Sequence, residues 1–226
     1  MSTSLSQDFI NNVRVLYQLG LDEICSGKVV RYGINGYTIH AAPAYVSAIA
    51  SLEAFVNETL LGIFSKSVYQ DSALWMLDSD WIEKLELKQK LIIVPQLLFS
   101  QTFKRNELPF QDMQLLFRIR NDVVHYRMKF PKDKNDLPKY VNELEKRKIA
   151  LSSPEPDKGD FIWVHKICTT EGIRWANNTI CKTVHKLVDF VSDMQERNII
   201  FSLASNFREI PESFPKNFLK QMGIED

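Results

Sequence analysis

Phe110-Gln-Asp-Met-Gln-Leu-Leu-Phe-Arg-Ile-Arg-Asn-Asp-Val-Val-His-Tyr-Arg-Met128 is the stretch that decides the fold. Projected at about 100° per residue, Met113, Leu116, Phe117, Val123, Val124 and Met128 fall within a sector of roughly 140°. That periodicity predicts an amphipathic helix over 110–128, stopped before Pro131. Arg120 projects near the middle of the apolar stripe, and Asn121 and His125, one turn apart, share its edge. A guanidinium among apolar side chains needs an anion or an acceptor to meet it. Arg120-Asn-Asp-Val-Val-His125 therefore gathers a forked donor, an amide and an imidazole into the most compact chemically capable group of the chain.

Helical periodicity extends outward from this segment. Phe9, Ile10, Val13, Leu16, Tyr17 and Leu21 predict a helix over 7–25, and Ala44 to Phe64 reads as one long helix preceded by Pro43. A short hairpin is expected near residues 28–40, with Asn35-Gly36 as its turn. Asp71–Leu77 and Asp80–Leu91 are expected to be shorter helices, with Pro95 forcing a kink or restart before Gln96–Phe103. A charged helix over Lys139–Ile149, an extended run over Phe161–Ile167 and a long helix over Ile173–Asn198 follow. The tail carries Pro211 and Pro215, with a last helical turn expected near Lys216–Met222. The expected architecture is an all-α bundle in a single domain over 1–226, with a loop-rich insertion around 131–172 and a C-terminal long helix plus tail.

Composition narrows the function classes. The 226 residues include 45% hydrophobic and 25% charged ones, ordinary for a soluble globular chain rather than a disordered one. Twenty-eight basic residues balance twenty-eight acidic ones, so a polyanionic partner would need a local patch. The N-terminus lacks the basic and apolar blocks of a secretory signal, and Leu91–Phe99 is too short to span a bilayer. Cys25, Cys168 and Cys181 are odd in number and lack zinc-site spacing, so they are expected to be reduced and mostly buried. A cytoplasmic protein with no metal, no cofactor and no membrane partner is the expectation. No phosphate-cradling glycine loop is present; Gly33-Ile-Asn-Gly36 reads as a turn.

The 44–64 helix carries a second anomaly. Val46, Ile49, Val56, Leu60 and Phe64 are taken as its apolar stripe, with Glu53 near the centre and Asn57 a turn later. A buried carboxylate on one helix and a buried guanidinium on another imply that Glu53 and Arg120 face each other in a bidentate contact.

Arg120-Asn121-Asp122-Val123-Val124-His125 resembles the signature of the HEPN (higher eukaryotes and prokaryotes nucleotide-binding) superfamily: arginine, four residues of which the first is usually polar, then histidine. Ser51-Leu-Glu-Ala-Phe-Val-Asn-Glu58 looks like the acidic-plus-asparagine helix common in that superfamily, and the resemblance spans about Gln7 to Phe130 and loosely the last helix. It implies a helical bundle that dimerises and brings two copies of the motif together. Many members are metal-independent endoribonucleases of toxin-antitoxin, antiviral defence or RNA-processing systems. Carried onto this chain, the resemblance makes His125 a general acid or base, gives Arg120 the scissile phosphate and Asn121 its orientation, and places Glu53 and Asn57 behind them. The chemistry is coherent: histidine as a residue type moves protons near neutrality, arginine matches phosphate, and RNA brings its own hydroxyl nucleophile.

Arg118, Arg127 and Lys129 are the expected RNA contacts, and with Arg120, Lys132 and Lys134 they make the motif region locally basic; Lys146-Arg147-Lys148 adds a second cluster. Two other readings stand beside the ribonuclease. One is a catalytically inactive HEPN-like module that binds a protein (an antitoxin, for example) or a nucleotide. The other is a helical structural subunit whose motif is coincidental. His40 is expected to bond locally, His165 and His185 to stand alone, and Trp75, Trp81, Trp163 and Trp175 to anchor core or interface.

Overall fold

Ser4 caps the first helix, its hydroxyl accepting from the Gln7 amide. The computed structural model describes residues 4–26, 31–32, 35–64, 84–125, 137–151, 163–191 and 194–211. Among these the fold is all-α, with helices α1 (Leu5–Cys25), α2 (Ala41–Phe64), α3 (Leu87–Phe99), α4 (Phe110–Val124), α5 (Lys139–Lys146), α6 (Trp163–Ile167), α7 (Thr170–Asp189) and α8 (Met194–Ala204). No helix of the described residues is long and apolar enough to cross a membrane.

Helix α2 is the hub, packing on α1, α3, α4, α7 and α8. Its inward face is built from Ala41, Ala44, Tyr45, Ala48, Ile49, Ser51, Leu52, Phe55 and Val56, all buried. Alanines let neighbouring backbones come close, and Tyr45, Leu52 and Phe55 fill the gaps; each large side chain buried this way is worth about 1.5–3 kcal/mol. This face keeps Ile49 and Val56 of the stripe expected from the sequence but not Val46, and is centred elsewhere. Val46 and Glu53, seven residues apart, point to solvent. The small residues Ala44, Ala48 and Ser51 carry the interior side, and weighing only large apolar residues placed the stripe wrongly.

Polar contacts fix how the helices meet. Glu58, near the end of α2, accepts from the Ser4 hydroxyl at 2.7 Å, the Ser6 hydroxyl at 2.6 Å and the Ser6 amide at 3.3 Å. A carboxylate is thus set against the positive end of α1. At the other end of α1, Glu23 accepts from the Thr38 hydroxyl at 3.0 Å and sits 3.1 Å from His40 Nε2. The local bonding role expected of His40 is what it performs. The Tyr45 hydroxyl donates to the carbonyl of Ile167, and Gly172 passes so close that a Cβ there would lie 2.1 Å from that hydroxyl oxygen.

Several elements differ from expectation. Asn35-Gly36 is not the hairpin turn: it pairs antiparallel with Arg31-Tyr32, Arg31 opposite Gly36 and Tyr32 opposite Asn35. Pro95 does not restart a helix; α3 runs through it to Phe99, and the Ile92 carbonyl accepts from the Thr102 hydroxyl at 3.1 Å. The 161–167 run, expected to be extended, holds the one-and-a-half-turn helix α6. The expected long helix 173–198 starts earlier, on the Thr169 cap, and ends at Asp189, where Phe190 turns to meet Phe103 edge-on. The helix expected over 71–77, the turn over 216–222, and Trp75 and Trp81 lie outside the described residues, as do 131–136 and 152–162 of the segment expected to be loop-rich. Trp163 and Trp175 are buried, as anchors should be, and Cys168 and Cys181 are buried free thiols.

Candidate functional site

Helix α4 lies with Phe110, Met113, Leu115, Leu116, Phe117 and Ile119 buried. Burial fades along its last turn. Arg120 and Val123 are half-buried, while Asn121, Val124 and His125 are exposed. The helix stops at Val124, short of the expected 128, with His125 as its C-terminal cap and its amide donating to the Asn121 carbonyl at 2.9 Å. The projected stripe is therefore right for the first turns and emerges into solvent where the motif begins.

Arg118, Asn121 and His125 fall along one exposed row of α4, three and four residues apart. Arg120 lies about 140° around the axis from His125, on the half-buried side. Among the described residues none of these four side chains makes a hydrogen bond or an ion pair. Glu53 does not meet Arg120: it is exposed on the outer face of α2, and the expected clasp is absent from the ion pairs of the described residues. Asn57 is engaged elsewhere, its Oδ1 accepting from Lys90 Nζ at 2.8 Å. Arg127, Lys129, Lys132 and Lys134 lie outside the described residues.

Asp122, inside the motif, has a fixed partner. The Tyr140 hydroxyl of α5 donates to its Oδ2 at 2.6 Å. Burial, this bond and the neighbouring carboxylate charge raise the Tyr140 phenol far above its usual range, so it remains a donor throughout the working pH range. Asp122 thereby ties the end of α4 to α5 and leaves its flanking residues outward.

The bidentate arginine–carboxylate fork that the sequence suggested does exist, but between other residues. Arg147 reaches Asp112 with two bonds of 2.8 and 2.9 Å, and Trp175 Nε1 donates to Asp112 Oδ2 at 3.3 Å. The Asp112 bond holds the Arg147 guanidinium above even its ordinary range, against the opposing effect of burial. Arg147 is thus not part of a free basic cluster, as its place in Lys146-Arg147-Lys148 had suggested.

This fork forms one wall of a cleft of about 490 Å³ that also holds the Glu171–Arg174 pair and the Lys182–Glu209 pair. Each of its formal charges has an opposite one beside it. The first turn of α4 opens on this cleft, roughly 20 Å along the helix from the motif. Among the described residues no group of three or more histidine, cysteine, aspartate or glutamate side chains is placed to hold a metal ion.

No family model, curated protein or solved structure matches the chain. The site's geometry and the motif's residues are accordingly what a functional reading rests on.

The sequence reading passed over three residues that the structure makes central: Glu58, Asp112 and Lys90. Asp112 sits in the first turn of a helix, where an acid is unremarkable. Glu58 lies five residues beyond Glu53 on the same helix, on the side that meets α1. Only placement of the small-residue face could have chosen between the two acids.

Proposed function

We propose that this chain is a metal-independent endoribonuclease of toxin or defence type, acting through the exposed end of α4. The observation that carries the reading is that Arg120, Asn121 and His125 all lie at the end of α4, and no side chain among the described residues bonds to any of them. A structural arginine inside an apolar stripe would have its carboxylate, and the candidate carboxylate, Glu53, faces solvent elsewhere. A phosphate is a partner of matching chemistry.

In this reading an RNA 2′-hydroxyl attacks the adjoining phosphorus, forming the P–O2′ bond and breaking the P–O5′ bond. One imidazole accepts the 2′ proton and one protonates the departing 5′ oxygen, while Arg120 faces the charge that gathers on the phosphoryl oxygens. Within one chain Arg120 and His125 lie on different sides of the helix end, which favours a homodimer in which two helix ends border a single phosphate. Arg118, on the row with His125, and the basic residues 127 and 129 that follow would hold the flanking phosphates.

The test is cleavage of a labelled single-stranded RNA by purified protein in chelator. Arg120→Ala and His125→Ala are each expected to lower the rate by roughly 10²-fold or more. A 2′-deoxy substitution at the cleaved position should abolish the reaction. RNA binding without cleavage by the wild-type protein would replace this reading with that of a catalytically inactive binding module.

A further inference from the structure

Helices α1 and α2 differ from the rest of the chain in charge. The whole sequence balances 28 basic with 28 acidic residues, yet these two helices carry Asp8, Asp22, Glu23, Glu53 and Glu58 against Arg14 alone. Arg14 is directed elsewhere, donating to the carbonyls of Asn206 and Arg208. Asp8, Asp22 and Glu53 are exposed.

The same pair leaves an apolar surface in solvent. Of the nine large apolar side chains exposed among the described residues, Leu5, Val15, Leu19, Ile39 and Val46 belong to these helices and the turn that enters α2. At about 100° per residue, Val15 and Leu19 project on the side of α1 away from the buried Val13, Tyr17 and Ile24. Val46 projects likewise on α2, opposite the buried Ala48 and Phe55. Asn12 donates to the Ser47 hydroxyl at 2.9 Å across the seam, and Glu23 bonds Thr38 and His40. These contacts run the helices antiparallel, with Val15 level with Val46 and Leu19 level with the turn that carries Ile39. Between the two rows the side chains are small or half-buried: Pro43 and Ala50 of α2 and Leu16 of α1. The outer face is thus a shallow apolar groove with acidic borders. Apolar surface gathered in one place on a folded chain marks a contact site.

Charge decides what the groove accepts. Self-pairing across a two-fold axis would set Asp8, Asp22 and Glu53 against the acids of a second copy. Nucleic acid and anionic lipid are repelled by the same carboxylates. A helix with an apolar stripe flanked by lysine or arginine is complementary in both respects.

We propose that the outer face of α1 and α2 docks a cationic amphipathic helix of a partner protein, its apolar stripe on Val15, Leu19 and Val46 and its basic residues against Asp8, Asp22 and Glu53. Opposite charge speeds the encounter and sets the orientation, while burial of the apolar row supplies affinity. None of these residues belongs to the end of α4, so the docking face is independent of the ribonuclease reading.

The experiment follows the fluorescence anisotropy of a labelled leucine–lysine peptide, roughly 18 residues at helical spacing, titrated with the full chain. Two control peptides keep the leucines: one exchanges every lysine for glutamate, and the other carries a central proline that breaks the helix. The leucine–lysine helix is expected to bind with a Kd on the order of 10 µM, at least roughly tenfold tighter than either control, and to weaken as salt is raised. Leu19→Ser, Val46→Ser and Glu53→Lys should each weaken it by about threefold or more. Phe201→Ser, which removes an exposed ring on α8, should leave it unchanged. All four side chains are exposed, so the variants should keep the fold, which circular dichroism checks. Equal binding of the lysine and glutamate peptides, no binding at about 100 µM chain, or the same loss in Phe201→Ser as in Leu19→Ser overturns the proposal. Sedimentation of the chain alone adds one more outcome: a dimer that dissociates in Leu19→Ser and Val46→Ser would assign the face to a second copy and overturn it as well.

Discussion

Arg147 holds Asp112 through both terminal nitrogens, at 2.8 and 2.9 Å, and so joins the end of α5 to the first turn of α4. Lysine can reproduce the charge but not the two parallel bonds. Arg147→Lys should therefore lower stability by about 1 kcal/mol, a modest figure because the guanidinium is a third exposed. A double-mutant cycle with Asp112→Asn in urea unfolding measures the coupling, and additive losses would show that the fork contributes nothing.

Gly172 leaves no room for a side chain. A Cβ there would fall 2.1 Å from the Tyr45 hydroxyl oxygen and 2.9 Å from the Ile167 carbonyl oxygen. Gly172→Ala should destabilise the fold by about 2 kcal/mol or more through overpacking of a buried site. Tyr45→Phe removes the hydroxyl and costs about 1 kcal/mol, since the Ile167 carbonyl keeps its bond from the Thr169 amide at 3.0 Å. Because Tyr45→Phe removes the atom that the new Cβ of Gly172→Ala would strike, the double variant should lose less than the sum. Thermal or urea unfolding of the three variants checks the non-additivity.

Arg120→Ala and His125→Ala should separate activity from stability. Both side chains stand where α4 leaves the core and have no bonded partner among the described residues, so each substitution should change stability by within about 0.5 kcal/mol while removing RNA cleavage. Glu53→Ala should leave both unchanged, since its carboxylate is exposed. A large loss of Tm in Glu53→Ala would restore the clasp that the structure does not show.

Alkaline pH should weaken the fold. Burial pushes the Cys168 and Cys181 thiols from an ordinary 9.0 up to about 12, and the Tyr17 phenol from 10.0 up to about 12. Between pH 9 and 12 the unfolded chain releases these protons while the folded chain retains them. Stability contributed by the thiols is thus flat below pH 9 and falls above it, by about 1.4 kcal/mol per pH unit for each thiol. Urea midpoints measured from pH 8 to 11 should decline, and Cys168→Ala should flatten the slope after its own constant loss. At pH 8, alkylating reagents should label the half-buried Cys25 well before the other two.

Much of this fold was legible where large apolar residues carry the pattern. Ile10, Val13, Tyr17 and Leu21 announce α1, and Met113, Leu116 and Phe117 announce α4. Helix α2 was legible as a helix but not as a face, because Ala44, Ala48 and Ser51 are buried for their smallness rather than their hydrophobicity. That one error moved Glu53 indoors and created a partner for Arg120. The break after Asp189 also escaped the pattern. Val188, Phe190 and Val191 continue an apolar run past the helix end, and there Phe190 packs on the sequence-distant ring of Phe103. At the motif, residue identity could be read from the chain, whereas exposure could not. It depends on where α4 runs off the edge of the core, which is a property of its neighbours.

The position of α2 has a consequence for how the molecule comes apart. A helix that touches five others cannot loosen without withdrawing part of the interior from each of them. Its central amides, from about Ala48 to Phe55, should then exchange with deuterium only when the entire bundle opens, and at the rate of that global event. The peptide groups near His125, at the exposed last turn of α4, should exchange through small local openings long before. Rigid anchorage and ready access are thus assigned to different helices, so the most slowly exchanging segment is not the one that carries the exposed motif.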